Sequence, residues 1–229
     1  MSRIRWQLAG DEEELAARAC RHILRAADQA IAARSRFTLV LAGGDTPQRC
    51  YRLLSQAEAA WSAWNIYFGD ERCRPADDLQ RNSAMAGAAW LSQSAIPAPQ
   101  IHAIPAELGA QAAARAYEPL VRQALPFDLV LLGLGSDGHT ASLFPGAELD
   151  EQALVHPVIQ APKPPAERVT LSAAALSRSR DILVLVSGRS KRAVLKAWRD
   201  GAGLPISTLQ PLGSLTVLYD READPGFGA

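Results

Sequence analysis

The chain has 229 residues, enough to bury one substantial core, and a single α/β domain is the default expectation at this length. Its 24 basic and 24 acidic residues cancel, so no bulk charge draws the surface to nucleic acid or to an anionic membrane, and any anion preference must be local. No apolar run approaches the roughly 18 residues of a membrane span, and the N-terminus turns acidic too early for a signal peptide, so a soluble cytoplasmic protein is expected. Cys20, Cys50 and Cys73 are widely spaced and odd in number, which suggests neither a disulfide framework nor a thiolate metal site. All three read as reduced thiols. Cys73 lies near a charged loop but carries no signal of a partner that would make it a nucleophile.

In chain order, Asp11 and Glu14 form an acidic capping pattern, after which Leu15, Ala19, Ile23, Ala27 and Ile31 recur at fourfold spacing. The pattern predicts an amphipathic helix ending near Arg34. Phe37 to Leu41 follows, a short apolar run rich in strand formers that stops at Gly43 and Gly44 and reads as a buried parallel strand. The same logic marks strands at Asn65 to Phe68, Ile101 to Ile104, Phe127 to Leu132, Arg168 to Leu171, Ile182 to Val186 and Leu215 to Tyr219. Alanine-rich helices are expected between them, notably over Glu107 to Ala124 with a break or kink at Pro119, and over Ser190 to Trp198. The proline-rich stretch from Ala161 to Ala166 reads as a surface loop. No internal repeat interrupts this order. Alternating strands and helices argue for one open, mostly parallel, doubly wound (Rossmann-like) sheet with helices on both faces, in which ligands gather beyond the carboxyl ends of the strands.

Three loops at such ends carry the chemistry. The first, Leu41 to Pro47, offers Gly43 and Gly44 for a tight turn, Thr46 at an N-cap position and Pro47 at the first helical position, a pattern suited to a phosphate and equally to a plain strand-turn-helix link. Asp45 opposes phosphate binding unless it points away. The second, Phe68 to Pro75, packs Asp70, Glu71, Arg72 and Arg74 after a strand, and taken alone reads as a solvated turn. The third, Gly133 to Gly146, places three glycines ahead of His139, with Asp137 close enough to orient the imidazole. His22, His102 and His156 lack such a setting and read as structural or exposed. His139 has no second His at helical spacing and no Cys pair nearby, and Asp70 with Asp137 would make a poor zinc site, so neither a metal nor another cofactor is expected. A serine-hydrolase reading lacks its Gly-x-Ser-x-Gly elbow.

Together these loops resemble the 6-phosphogluconolactonases of the short bacterial type, relatives of glucosamine-6-phosphate deaminases and, at the level of fold, of ribose-5-phosphate isomerases. The resemblance covers Leu41 to Pro47, Gly69 to Pro75 with Asn82, Phe127 to Gly146, Arg168 to Leu171 and Gly188 to Leu195, with a weaker echo at Pro205 to Asp220. Its most specific part is the run Asp137 to Gly146. It implies one lactonase domain over residues 1–229 that hydrolyses 6-phospho-D-glucono-1,5-lactone to 6-phospho-D-gluconate in the oxidative pentose phosphate pathway. It also implies a small-molecule sugar-phosphate partner, with no nucleic acid and no membrane, in a monomer or homodimer. By the resemblance His139 activates water, Asp70, Asp137 and Arg72 line the same pocket, and Gly43, Gly44, Thr46, Arg168 and Lys191 hold the phosphate. Two positions depart from the pattern: Asp45 stands where Ser is common, and Arg81 precedes Asn82 where Ser is common.

Two competing readings remain. A deaminase/isomerase acting on an amino-sugar phosphate would use Asp70 to shuttle a proton, but the deaminases' Phe-Asn-Glu-Pro after Asp-Gly-His is replaced here by Thr140-Ala-Ser-Leu-Phe-Pro145. A non-catalytic sugar-phosphate sensor would need only the anchor residues, not His139, Asp70 and Arg72 as well.

Overall fold

The computed structural model describes residues 4–147 and 152–226. Strand β1 (Ile4–Ala9) leads into α1 (Glu12–Arg34), whose first turn is capped by the Asp11 carboxylate accepting from the Glu14 amide at 2.8 Å. Then come β2 (Phe37–Leu41), α2 (Asp45–Leu54), β3 (Trp64–Phe68), the short β4 (Asp70–Arg72) and α3 (Asn82–Ala89). Helix α4 (Ala110–Ala124) precedes β5 (Phe127–Gly133), and β6 (Val155–Val158), β7 (Arg168–Leu171) and α5 (Ala173–Ser177) follow. Strand β8 (Ser179–Val186), α6 (Arg192–Arg199) and β9 (Ser214–Asp220) complete the order.

Six strands form the main sheet in the order β1-β9-β8-β5-β2-β3, every pair parallel. Strand β2 and the stretches 129–132 of β5 and 182–186 of β8 are buried and largely apolar, as expected where helices cover both faces. Helices α1 and α2 pack together on one face. On β1, Gln7 shares a small cavity with Arg18 and His22 of α1, so its neighbour Trp6 points to the opposite face, where it meets Trp198 of α6 edge-on at 5.0 Å. From β2 the chain steps outward to β3, and from β5 it steps the other way to β8. The winding therefore reverses between β2 and β5, the position at which an open parallel sheet leaves a crevice beyond its carboxyl ends.

A second sheet, β4-β7-β6, is antiparallel and roofs that end. Gly69 hinges the two sheets: its amide donates to Leu41 O at 2.9 Å and its carbonyl accepts from the Leu171 amide at 2.8 Å. Arg168 to Leu171 is thus a strand, as its β-branched centre predicts, but it belongs to this small sheet and not to the parallel one.

Other expectations shift in detail. The Ile101 to Ile104 run gives only a single parallel bridge, Ile66 to Ile101. The helix expected from Glu107 begins at Ala110, because Gly109 (φ 82°) interrupts it, and it continues through Pro119 without breaking. Ser190 and Lys191 lie in a 3₁₀ turn ahead of α6. Strand β1, an edge strand that pairs with β9 among the described residues, was not marked in the sequence although Ile4, Trp6 and Leu8 alternate with Arg5 and Gln7. Among the described residues no helix is long and apolar enough to cross a membrane.

Candidate active site

The crevice at the reversal point is a cleft of about 470 Å³. It gathers the three loops singled out above: Gly43, Gly44 and Thr46 from the end of β2, Asp70 and Arg72 from β4, and His139 from the loop after β5. Arg168 of β7 and Lys191, just before α6, also reach it. Of the described residues lining a neighbouring cleft of about 570 Å³ beside Phe144, His156 is the only titratable one, so the described reactive groups converge in the first.

Each group is placed for an identifiable reason. Helix α2 begins at Asp45 with Gly44 as its cap, two residues earlier than the sequence pattern indicated, so Thr46 is the second helical residue and Pro47 the third. Gly44 sits at φ 102°, which an L side chain rarely adopts, and the amides of Asp45 and Thr46 at the helix start have no intrahelical acceptor. Gly43 lies so close to Asn82 that an added Cβ would stand 2.0 Å from its Oδ1. Asn82 Nδ2 in turn donates to the Asp70 carboxylate at 3.0 Å, and Ser142 Oγ donates to the other Asp70 oxygen at 2.6 Å. Asp70 therefore ties the first loop to the third and makes no contact with the imidazole.

The imidazole is oriented by Asp137. His139 Nδ1 lies 2.5 Å from Asp137 Oδ1, and Lys163 Nζ approaches the other carboxylate oxygen at 3.1 Å. Burial pushes the Asp137 carboxyl upward, but the hydrogen bond from His139, its charge and the Lys163 contact outweigh that and hold it at about 2. The loop that presents the pair is closed by Gly135 N donating to His139 O at 2.8 Å and by Thr140 Oγ1 donating to Gly133 O at 2.8 Å. Gly135 leaves room for both side chains, since a Cβ there would fall 2.1 Å from His139 Nδ1.

Among the cations, Arg168 is buried and spends Nε and Nη2 on the carbonyls of Pro165, Lys163 and Pro164, each at 3.1 Å. Burial lowers the Lys191 ammonium from its ordinary value, and the nearby charge of Lys163 lowers it further. Arg72 directs Nη1 to Gln80 O at 2.5 Å and keeps a buried Nε without a partner among the described residues. Among the described residues four cations (Arg72, Lys163, Arg168 and Lys191) thus outnumber the lining carboxylates Asp45 and Asp70 and the adjacent Asp137, an excess that suits an anionic ligand.

One expectation needs correction. The acidic loop is not solvated: Glu71 is fully buried, accepts from the amides of Asn82 and Ser83 at the start of α3, and pairs with Arg81. Arg81, the departure noted at this turn, is also buried and bonds Glu107 Oε2 at 2.8 Å and Ile104 O at 2.6 Å, away from the cleft. Lys163 is the group the sequence reading missed. Its signal was a lone charge in the stiff Ala161 to Ala166 loop, which Arg168 folds back over the cleft. Cys73 is half-buried, and burial pushes its thiol up to about 11, far from a reactive thiolate. His102 stacks on Tyr67 at 4.3 Å and His156 is buried, as structural histidines. Among the described residues no three His, Cys, Asp or Glu side chains converge as a ligand set.

A family model described as glucosamine-6-phosphate isomerases/6-phosphogluconolactonase matches residues 10–217. The chain belongs to this family. Within it, a 6-phosphogluconolactonase of Mycobacterium tuberculosis is 39% identical over 232 residues, covering 93% of this chain and 94% of that protein. The solved 6-phosphogluconolactonase of Trypanosoma brucei matches the fold with a TM-score of 0.89 at 29% identity, over 100% of both chains. A monomeric glucosamine-6-phosphate deaminase matches with a TM-score of 0.83 at 24% identity, over 96% of this chain and 98% of that one, a likeness of fold alone. The fold is thus common to both branches, whereas the relative matched at 39% identity is a 6-phosphogluconolactonase.

Proposed function

We propose that the protein hydrolyses 6-phospho-D-glucono-1,5-lactone to 6-phospho-D-gluconate. The observation that carries this reading is the His139 and Asp137 pair at 2.5 Å, opening on the same cleft as a glycine-capped helix start and the cations Arg168 and Lys191. With Nδ1 held by Asp137, Nε2 is left to take a proton from water as the water oxygen attacks the lactone carbonyl. The charge that develops on the carbonyl oxygen is met by Arg72 or by loop amides. Collapse of the tetrahedral intermediate breaks the bond to the ring oxygen, which receives the proton from His139, and the open-chain acid leaves. Lys191, Arg168 and the Gly43 to Thr46 turn hold the phosphate and so orient the carbonyl. In this reading the enzyme works in the cytoplasm, as a monomer or homodimer, on a small-molecule substrate.

The close relatives of known sequence support the lactonase over the deaminase, and so does the site: Asp137 is the carboxylate on His139, while the stretch Thr140 to Pro145 brings none. The deciding assay follows freshly prepared lactone above its spontaneous hydrolysis, with ammonia release from glucosamine-6-phosphate measured in parallel. In the lactone assay His139→Asn should lose about a hundred- to ten-thousandfold in kcat while still binding 6-phosphogluconate by calorimetry. Ammonia release without lactone turnover would replace the reading with the deaminase, and binding without either would make the protein a sensor.

A further inference from the structure

The Ala161 to Ala166 loop is the one part of the cleft that neither the glycine turns nor the strand ends explain. Its backbone carbonyls at Lys163, Pro164 and Pro165 are all engaged by the buried Arg168 guanidinium, so the loop is fastened from below and its single charged side chain is delivered to one place. That place is the far oxygen of Asp137, at 3.1 Å, opposite the oxygen that holds His139. Lys163 has no other partner among the described residues.

We propose that Lys163 is a positioning residue for this pair: its ammonium fixes the carboxylate that fixes the imidazole, and its charge hastens the imidazole's return of the proton it takes. The inference rests on the lactonase reading. Hydrolysis needs His139 to accept a proton from water and then surrender it to the ring oxygen as the carbon to ring-oxygen bond breaks. Asp137 alone would favour the first half and retard the second, because a carboxylate stabilises the imidazolium. A cation on the same carboxylate restores the balance.

The other charged groups facing the pair are Arg168 from β7, Lys191 ahead of α6, and Asp70 and Arg72 from β4. Each has a separate duty already described. Phe144 stacks obliquely against His139 at 5.0 Å, with the Arg168 guanidinium 5.7 Å from the same ring, so on that flank the charge among the described residues is the Arg168 already named. Because the Lys163 and Asp137 side chains are 43% and 32% exposed, solvent screens their contact, and the effect to be expected is modest.

The test compares kcat/KM against pH for the native enzyme, Lys163→Met and Lys163→Arg. In Lys163→Met the acid limb should move to higher pH by about half a unit, kcat should fall and KM should change little, and Lys163→Arg should restore the native profile. A raised KM with the limb and kcat unmoved would make Lys163 a phosphate contact and overturn the proposal. A second measurement needs no substrate: carboxyl-carbon NMR should find the Asp137 midpoint, about 2 in the native protein, raised in Lys163→Met. An unchanged midpoint overturns the link between Lys163 and Asp137 even if the lactone is never turned over, whereas a native enzyme without lactonase activity overturns only the lactonase reading.

Discussion

Gly135→Ala offers the most direct test of how the loop builds the catalytic pair. The position is buried, and its backbone lies outside the left-handed region, so alanine meets no conformational penalty of its own. The conflict is with three specific atoms: the new Cβ would stand 2.1 Å from His139 Nδ1, 2.3 Å from its Cε1 and 2.5 Å from Asp137 Oδ1. Ordinary contact begins near 3.4 Å, so the pair must retreat by roughly 1 Å, more than a 2.5 Å hydrogen bond tolerates. A displacement of that size typically costs about a hundredfold in rate, and complete loss of the base costs up to about ten-thousandfold. The overpacking itself should destabilise the fold by about 1 to 3 kcal/mol, leaving it native at assay temperature. The phosphate anchors stand on other elements, so binding of 6-phosphogluconate should survive. Lactone turnover, urea denaturation and product calorimetry measure the three quantities. Gly133→Ala, whose added carbon would meet nothing within 4 Å, should lose far less. Turnover in Gly135→Ala within threefold of native would refute the claim that the pair's geometry governs the rate.

Three further outcomes follow from the same structure. Lys191→Ala should raise KM by about ten- to a hundredfold with kcat nearly kept, because an anchor remote from the carbonyl contributes equally to ground and transition states; steady-state kinetics will show whether kcat falls instead. Asp45→Ser removes an exposed carboxylate from the cleft wall and should tighten phosphate binding by up to about fivefold, and a severe loss of activity would reveal a positive role for that acid. Glu71→Gln should destabilise the protein by about 3 to 5 kcal/mol in urea denaturation, since it leaves the buried Arg81 and two α3 amides short of a charged acceptor; a change under 1 kcal/mol would contradict that.

The strands that carry the cleft were legible because burial on both faces demands largely apolar runs, as at Phe37 to Leu41 and Phe127 to Leu132, broken only by Thr38 and Asp128. Asp137 was legible as the nearer candidate to orient His139, because it stands two residues before it in the same glycine-rich loop, while Asp70 remained open. What could not be read was long-range. Asp70 and His139 both sit in segments that follow a strand, yet Ser142 and Asn82 claim the first and Asp137 the second. Lys163 was hidden for a different reason: its position depends on Arg168 gripping three backbone carbonyls, and a carbonyl leaves no mark on sequence. The acidic loop misled because Glu71 caps a helix from outside it, a role local propensity does not register.

The contact series from Gly43 through Asn82 and Asp70 to Ser142 crosses about a hundred residues of chain while spanning the mouth of one cleft. Loops joined in this way cannot be exchanged singly. An attempt to widen the range of accepted lactones by grafting the first loop from a relative would carry a new residue against Asn82 and tilt Asp70, and the disturbance would surface at the segment bearing the base. Variation in this enzyme is therefore expected to be inherited as matched sets, with the residue facing Gly43 and the hydroxyl facing Asp70 changing in concert.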